Sequence, residues 1–234
     1  MLEKLKKARL PLLVIFLVLI IDQGIKIYIK THFVLGQEHR VAGSWFIIHF
    51  IENPGMAFGM EFGGDYGKLA LSIFRILAAV FGVYYIRNLL KTNQHIGYIT
   101  CVVLIFAGAT GNILDSMFYG LVFNESSFFQ VAQFMPTEGG YAGFLHGQVV
   151  DMFYFPIIDG HFPTWFPIWG GESFEFFRPV FNFADASISA GVILILIFQK
   201  RFFYKKENAG QVGETNHVET ERPGDETLQT SKQS

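Results

Sequence analysis

Apolar residues along this chain come in blocks. Leu10 to Ile21 is twelve residues without a charge. Crossing the hydrocarbon core takes about 20 helical residues. A span that starts near Leu10 therefore runs to about Ile29 and carries Asp22 and Lys26 into the membrane. A second block, Leu69–Ile86, is interrupted by Arg75; a third, Ile96–Tyr119, by Asp115; a fourth, Phe183–Phe198, has Asp185 at its start. The pattern predicts an α-helical membrane protein, a bundle of four transmembrane helices at about 10–29, 69–86, 96–119 and 183–199. Lys4, Lys6, Lys7 and Arg9 ahead of the first block would also suit a cleaved signal peptide. No small-x-small site follows the block, only Ile-Asp-Gln-Gly-Ile-Lys, so it is read as a span.

The basic residues orient the bundle. Ten of the 18 Lys and Arg lie in three places: the N-terminus, Arg87 and Lys91 between spans two and three, and Lys200, Arg201, Lys205 and Lys206 after span four. All three fall on one side of a four-span protein. Loops 31–68 and 120–182, on the other side, hold only Arg40, Lys68 and Arg178. Basic loops stay cytoplasmic, so both termini are expected inside and the two long loops outside. Residues 1–204 form the membrane-embedded unit. The tail, 205–234, is poor in apolar residues beyond Glu207 and is expected to be disordered.

The outer loops do not read as solvated. Trp45 to Ile51 is β-prone and runs into the turn signal Glu52-Asn53-Pro54-Gly55. Segment 120–182 is rich in Phe and holds Trp165 and Trp169. Aromatic rings favour the membrane–water interface, so these loops are expected to form a small β-containing platform on the outer leaflet.

Composition narrows the chemistry. Charged residues make up 16%, against about 25% in a soluble domain, and the net charge of −2 offers no basic field for a nucleic acid. One cysteine, Cys101, excludes an internal disulfide framework and a Cys-cluster zinc site. His32, His39 and His49 share a loop without ligand spacing. His146 and His161 flank Asp151, but a metal site there is the weaker reading.

Ionisable residues inside spans are costly and mark function. At 1.5 Å per residue, Asp22 lies about 18 Å and Lys26 about 24 Å from the cytoplasmic end of span one, in the outer half of a core of about 30 Å. Arg75, Asp115 and Asp185 also sit toward the outer ends of their spans. One shared depth points to one polar site. Asp22 and Lys26, at i and i+4, face the same way and can pair; a helix-end pair that snorkels is the alternative. Asn112 and Asp115 share a face of span three, and Gly108 and Gly111 suit close helix packing. Asp151 stands alone in the apolar, aromatic run Val149-Val150-Asp151-Met152-Phe153. If Asp151 and Asp185 meet in a low-dielectric site they share a proton, one acting as base and one as acid.

The motifs, in their order along the chain, resemble a known family: lipoprotein signal peptidase, or signal peptidase II, an intramembrane aspartic protease of bacteria. The carrying residues are Asp22-Gln23-x-x-Lys26, Asn53-Pro54-Gly55-Met56-Ala57-Phe58, Gly108-Ala109-Thr110-Gly111-Asn112-x-x-Asp115, Val149-Val150-Asp151-Met152-Phe153 and Phe181-Asn182-Phe183-Ala184-Asp185, spread over roughly 8–202. The resemblance implies a substrate: a prolipoprotein whose cysteine already carries diacylglycerol, cut just before that cysteine. It implies that Asp151 and Asp185 are the catalytic dyad, working without metal or cofactor. Asn53, Gly55, Gly108, Asn112, Asp115 and Asn182 would shape the site, and Asp22 and Lys26 would position it. It further implies inhibition by globomycin and a place in the bacterial cytoplasmic (inner) membrane, with the site near the outer leaflet. Contact with membrane lipid and action as a monomer are expected as well.

Three features depart from the family pattern. Ser116 stands where the family has Arg after the third-span Asp, and Arg75 is the candidate substitute. Ala107-Gly108 replaces a Gly-Gly pair. Long inserts occupy 121–146 and 160–178, outside and near the dyad. A small proton-coupled transporter or channel component is the competing reading, with Asp22, Asp115 and Asp185 as a relay. It predicts ionisable residues in the cytoplasmic half as well, where the spans have none. A non-enzymatic scaffold would leave Asp151 and Asp185 without a purpose.

Overall fold

The first helix shows how the bundle is sorted. In α1 (Leu2–His32), Val18, Asp22, Lys26 and Lys30 succeed one another at i+4 and are all buried, while Leu12, Phe16 and Ile20 on other faces are exposed. The polar row faces protein and the apolar rows face outward, as a helix in lipid requires. This computed structural model describes residues 2–54, 64–156, 158–161, 163–167, 170–176 and 179–214.

Four helices are long and apolar enough to span a membrane, over Ala8–His32, Leu69–Lys91, Ile96–Val122 and Phe183–Phe203. They belong to α1, to α2 (Gly64–Lys91), to α3 (Ile96–Leu114) with its continuation, and to α5 (Phe183–Glu214). The helices outlast the expected apolar cores because their backbone bonding continues into the basic flanks. α3 does not stop at Leu114: one π-helical turn, Asp115–Tyr119, leads into a last short turn, α4 (Gly120–Val122). α5 continues through 205–214 of the expected tail, and the remainder of that tail lies outside the described residues.

α3 is the central helix and packs against α5, α1 and α2. Small residues set the approach. A Cβ on Gly108 would run into the Ala184 carbonyl oxygen and stand 2.8 Å from Ile188 Cγ1, and one on Gly191 would stand 2.6 Å from the Cys101 carbonyl oxygen. Glycine at both crossings lets the two backbones touch. The outward faces carry large apolar side chains: Phe74, Leu77, Val80 and Phe81 on α2 and Leu196 and Ile197 on α5 are all exposed, which is tolerable only against lipid.

A small antiparallel sheet caps one end of the bundle, in the order β1-β2-β3 (Glu38–Ala42, Phe46–Asn53, Val149–Tyr154). β2 is the predicted β-prone segment, and it runs two residues further than expected, so that Asn53 pairs with Val149 and Ile51 with Asp151. Beneath it, Ile29, Phe50, Tyr119, Phe123, Val150 and Met152 form a core that joins α1, the end of α3 and the sheet. β4 (Ile158–His161) and β5 (Ser173–Phe176) pair as a separate antiparallel ribbon within the second insert.

Candidate active site

Chain direction at the start of α5 places the first acid. Asn182 is the residue before the helix, and its Oδ1 accepts the Asp185 backbone N–H at 2.9 Å, while Asp185 Oδ2 accepts the Asn182 N–H at 3.4 Å. This reciprocal arrangement is a capping box, which satisfies two otherwise orphaned donors and fixes both side chains. The neighbouring Ala184 N–H donates to Asp22 Oδ1 at 2.9 Å. The first turn of α5 is thus held by side chains from its own start and from α1.

Asn182 also reaches the second acid. Its Nδ2 donates to Asp151 Oδ1 at 2.6 Å and to Asn112 Oδ1 at 3.1 Å. Asn53 Nδ2 approaches the other Asp151 oxygen at 3.4 Å from the end of β2. One asparagine therefore touches both Asp151 and Asp185, which are 34 positions apart in the chain. Asp151 is 3% exposed. Burial, and then the charge of Asp185, push its carboxyl from 3.8 up to about 7.

Behind the two acids lies a dry hub. Lys26 Nζ contacts Asp22 Oδ2 at 2.9 Å, Asp115 Oδ2 at 2.7 Å and Asn112 Oδ1 at 2.8 Å, and Asp22, Lys26 and Asp115 are all 0% exposed. Lysine only donates, so Asn112 must turn its oxygen to Lys26 and its amide nitrogen to Asp185, which it meets at 2.8 Å. The Asp22–Lys26 pair is real, and it does not snorkel.

The structure adds residues that the sequence reading did not single out. Gln23 Nε2 donates to Asp115 Oδ1 at 2.8 Å, and its Oε1 accepts from the Tyr119 hydroxyl at 3.1 Å. Gln23 lies inside the first motif, but its partners come from α3 and the π-helical turn after it. Lys30, 0% exposed, pairs with Glu52 and bonds Ser126 at 2.8 Å, with the rings of Phe123 and Tyr141 within 5.4 and 5.1 Å. Its place at i+4 from Lys26 was a legible signal.

Arg75 lines a cavity of about 400 Å³ between α2, α3 and α5, together with Asn112, Asp185, Ala78, Gly82 and Phe106. The cavity is polar where Arg75, Asn112 and Asp185 line it and apolar along its other walls. Ser116, in the family's Arg position, is buried and bonds the Asn112 carbonyl oxygen at 3.2 Å, so its hydroxyl serves the helix backbone. Gly108 lies at the α3–α5 crossing. Gly55 falls outside the described residues. Among the described residues no three His, Cys, Asp or Glu are grouped to hold a metal ion.

Four spans, a small cap and two carboxylates joined through one asparagine at the cap–bundle boundary are what a membrane-embedded hydrolase of the aspartic class requires. The family model for signal peptidase (SPase) II matches residues 14–201. A lipoprotein signal peptidase of Porphyromonas gingivalis is 52% identical over 201 residues, covering 86% of this chain and 87% of its own. One from Amoebophilus asiaticus is 34% identical over 210 residues, covering 87% and 84%. A bacterial membrane enzyme solved in meso at 1.9 Å resolution aligns with a TM-score of 0.53 and 27% identity, over 80% of this chain and 90% of that one. The chain belongs to the signal peptidase II family of aspartic proteases.

Proposed function

We propose that this enzyme removes the signal peptide from diacylglyceryl-modified prolipoproteins, cutting just before the lipidated cysteine with a water held between Asp151 and Asp185. The observation that carries the reading is Asn182, which bonds Asp151 directly and caps Asp185 reciprocally. Two carboxyls so coupled in a dry site share one proton. Burial favours the neutral form of Asp151, so Asp151 holds the proton and Asp185 acts as the base.

In the reaction, Asp185 takes a proton from water as the oxygen attacks the scissile carbonyl carbon. Asp151 gives its proton to the carbonyl oxygen. The tetrahedral carbon then expels the cysteine nitrogen, which takes the proton held by Asp185 as the C–N bond breaks, while one of the two hydroxyls returns its proton to Asp151. Water supplies both the new hydroxyl and the amine proton, and the dyad is restored. Asn112, itself fixed by Lys26, holds Asp185 in place, Asn53 and Asn182 hold Asp151, and the Arg75 guanidinium takes the part of the missing family Arg. Asp22 and Asp115 anchor the hub, and Gly55 keeps the site-shaping role that its motif implies.

Both acids stand at the cap end of the bundle, which the basic loops assign to the outer leaflet. A substrate anchored there by its acyl chains arrives laterally, beside the cavity that α2 lines. With both termini inside, the enzyme works as a monomer in the bacterial inner membrane and is blocked by globomycin-type cyclic peptides.

The test is cleavage of a purified diacylglyceryl-prolipoprotein in detergent or vesicles. Asp151→Asn and Asp185→Asn each abolish cleavage while the protein stays folded, and Arg75→Ala reduces it. Normal cutting by either Asn variant overturns the dyad; full activity of Arg75→Ala removes the role given to Arg75.

A further inference from the structure

The first insert carries an apolar tip that the catalytic reading leaves unused. Ser126 to Thr137 is twelve residues without a charge, bounded by the exposed acids Glu125 and Glu138. Within it Phe128 is 67% exposed and Phe129 91%. These side chains are not at the end of a loose loop. Ser127 Oγ accepts the backbone N–H groups of Gln130 at 3.0 Å and Phe129 at 3.3 Å, closing a tight turn with the two Phe at its apex. The Phe128 ring lies over Gly36, where a Cβ would stand 3.2 Å from its edge.

Hydrogen bonds to α1 fix the height of this tip. Ala132 N–H donates to the Lys30 carbonyl oxygen at 3.2 Å, and Leu35 N–H donates to the Ser127 carbonyl oxygen at 2.9 Å. Segment 127–132 therefore runs beside the last turn of a membrane-spanning helix whose apolar span ends at His32. Tyr28, on that turn, is itself exposed to the surroundings of the bundle. The buried Lys30–Glu52 pair with Ser126 pins the root of the segment at the same level.

We propose that Phe128 and Phe129 form a wedge that enters the bilayer at the C-terminal end of α1 and packs among lipid headgroups and upper acyl carbons. Assigning that leaflet to the outer face rests on the orientation proposed above; the insertion does not. The occupant is bilayer lipid because the tip continues the lipid-facing surface of α1 at its own depth. Aromatic side chains partition to that zone, and two adjacent exposed Phe have no comparable benefit in water. The wedge tethers the first insert, and with it the core around Phe123 and Val150, to the membrane plane.

The experiment uses the full chain in phospholipid vesicles. Trp45, Trp165 and Trp169 are replaced by Phe, and Phe129→Trp supplies a single reporter. Lipids brominated at acyl carbons 6 and 7 are expected to quench it at least twofold, and more than lipids brominated at carbons 11 and 12, with iodide in the water quenching weakly. Free quenching by iodide with no response to brominated lipid overturns the wedge. Shielding from both quenchers that grows with the protein-to-lipid ratio assigns the patch to a second copy and overturns it as well. If the Trp replacements do not fold, a nitroxide on Phe129→Cys in a Cys101→Ala chain gives the same reading: greater accessibility to oxygen than to a nickel chelate supports insertion, and the reverse refutes it. Cleavage is not the readout, so failure here leaves the catalytic proposal standing.

Discussion

Replacing Lys26 by methionine keeps the length and apolar stem of the side chain and removes only its charge. The geometry around Lys26 sets the cost of that change. Lys26 stands between Asp22 and Asp115, at 2.9 and 2.7 Å, and none of the three is exposed. Removing one partner from a buried ion pair costs about 3–5 kcal/mol, because the charge left behind has neither water nor a counter-ion. For a chain of this size each kcal/mol lowers the midpoint by about 2–4 °C, so Lys26→Met should melt about 6–20 °C early. The protein carries its own reporter: Cys101 is its one cysteine and is 4% exposed, so a thiol-reactive fluorogenic dye lights up only on unfolding. Adding Asp115→Asn to Lys26→Met removes one stranded charge and should restore about half the loss. A Lys26→Met protein that melts within a degree of the parent, or a double variant less stable than the single, would refute the idea that this lysine neutralises a dry site.

The same geometry sets the remaining outcomes. Asp151, held at about 7 by burial and by Asp185, loses the shared proton above that pH, so kcat/KM should fall as pH rises through about 7. The same raised value means that its stabilising effect is complete below the unfolded carboxyl value of 3.8 and is lost as pH rises through about 7. Asn53→Ala removes a donor that favours the charged form and should move the alkaline limb to higher pH; a rate unchanged from pH 5 to 9 would contradict both statements. Gly108→Ala forces a methyl group against the Ala184 carbonyl and Ile188, costing about 1–3 kcal/mol, and because it shifts the turn that bears Asp185 the activity should fall further than the midpoint; equal activity to the parent argues against that coupling. Lys30→Met strands Glu52, which is 5% exposed on its side chain, at a cost of about 3–5 kcal/mol, and Glu52→Gln in the same chain should return most of it in the dye assay.

The parts of this protein that were legible are those in which one residue contradicts its surroundings. Charges in apolar runs marked Asp22, Lys26, Arg75, Asp115, Asp151 and Asp185, and the clustering of those in the spans at one end of the bundle comes from counting residues along helices. The contacts that hold the acids were less visible. Asn182-x-x-Asp185 is a capping pattern readable from the sequence, yet nothing local says that the same asparagine also reaches Asp151, because β3 is brought there by pairing with β2. Gln23 looks like any polar residue on a helix until Asp115 and Tyr119 supply its partners. Lys30 resembles a helix-end lysine free to reach water; only the folded first insert, with Ser126, Phe123 and Tyr141, encloses it. The π-helical turn at Asp115–Tyr119 likewise has no sequence signature among Asp, Ser, Met, Phe and Tyr.

The box that opens α5 has a bearing on how the enzyme is born. The bonds between Asn182 and Asp185 that start the final span are the same ones that aim its carboxylate, and Ala184 in that turn is clamped by Asp22 from the first span. Under the proposed chemistry, a nascent chain with three spans inserted has no competent dyad. Cutting power arrives only when α5 closes against the first span, so insertion of α5 and onset of proteolysis are a single step, and copies that still lack it are harmless to their neighbours in the bilayer.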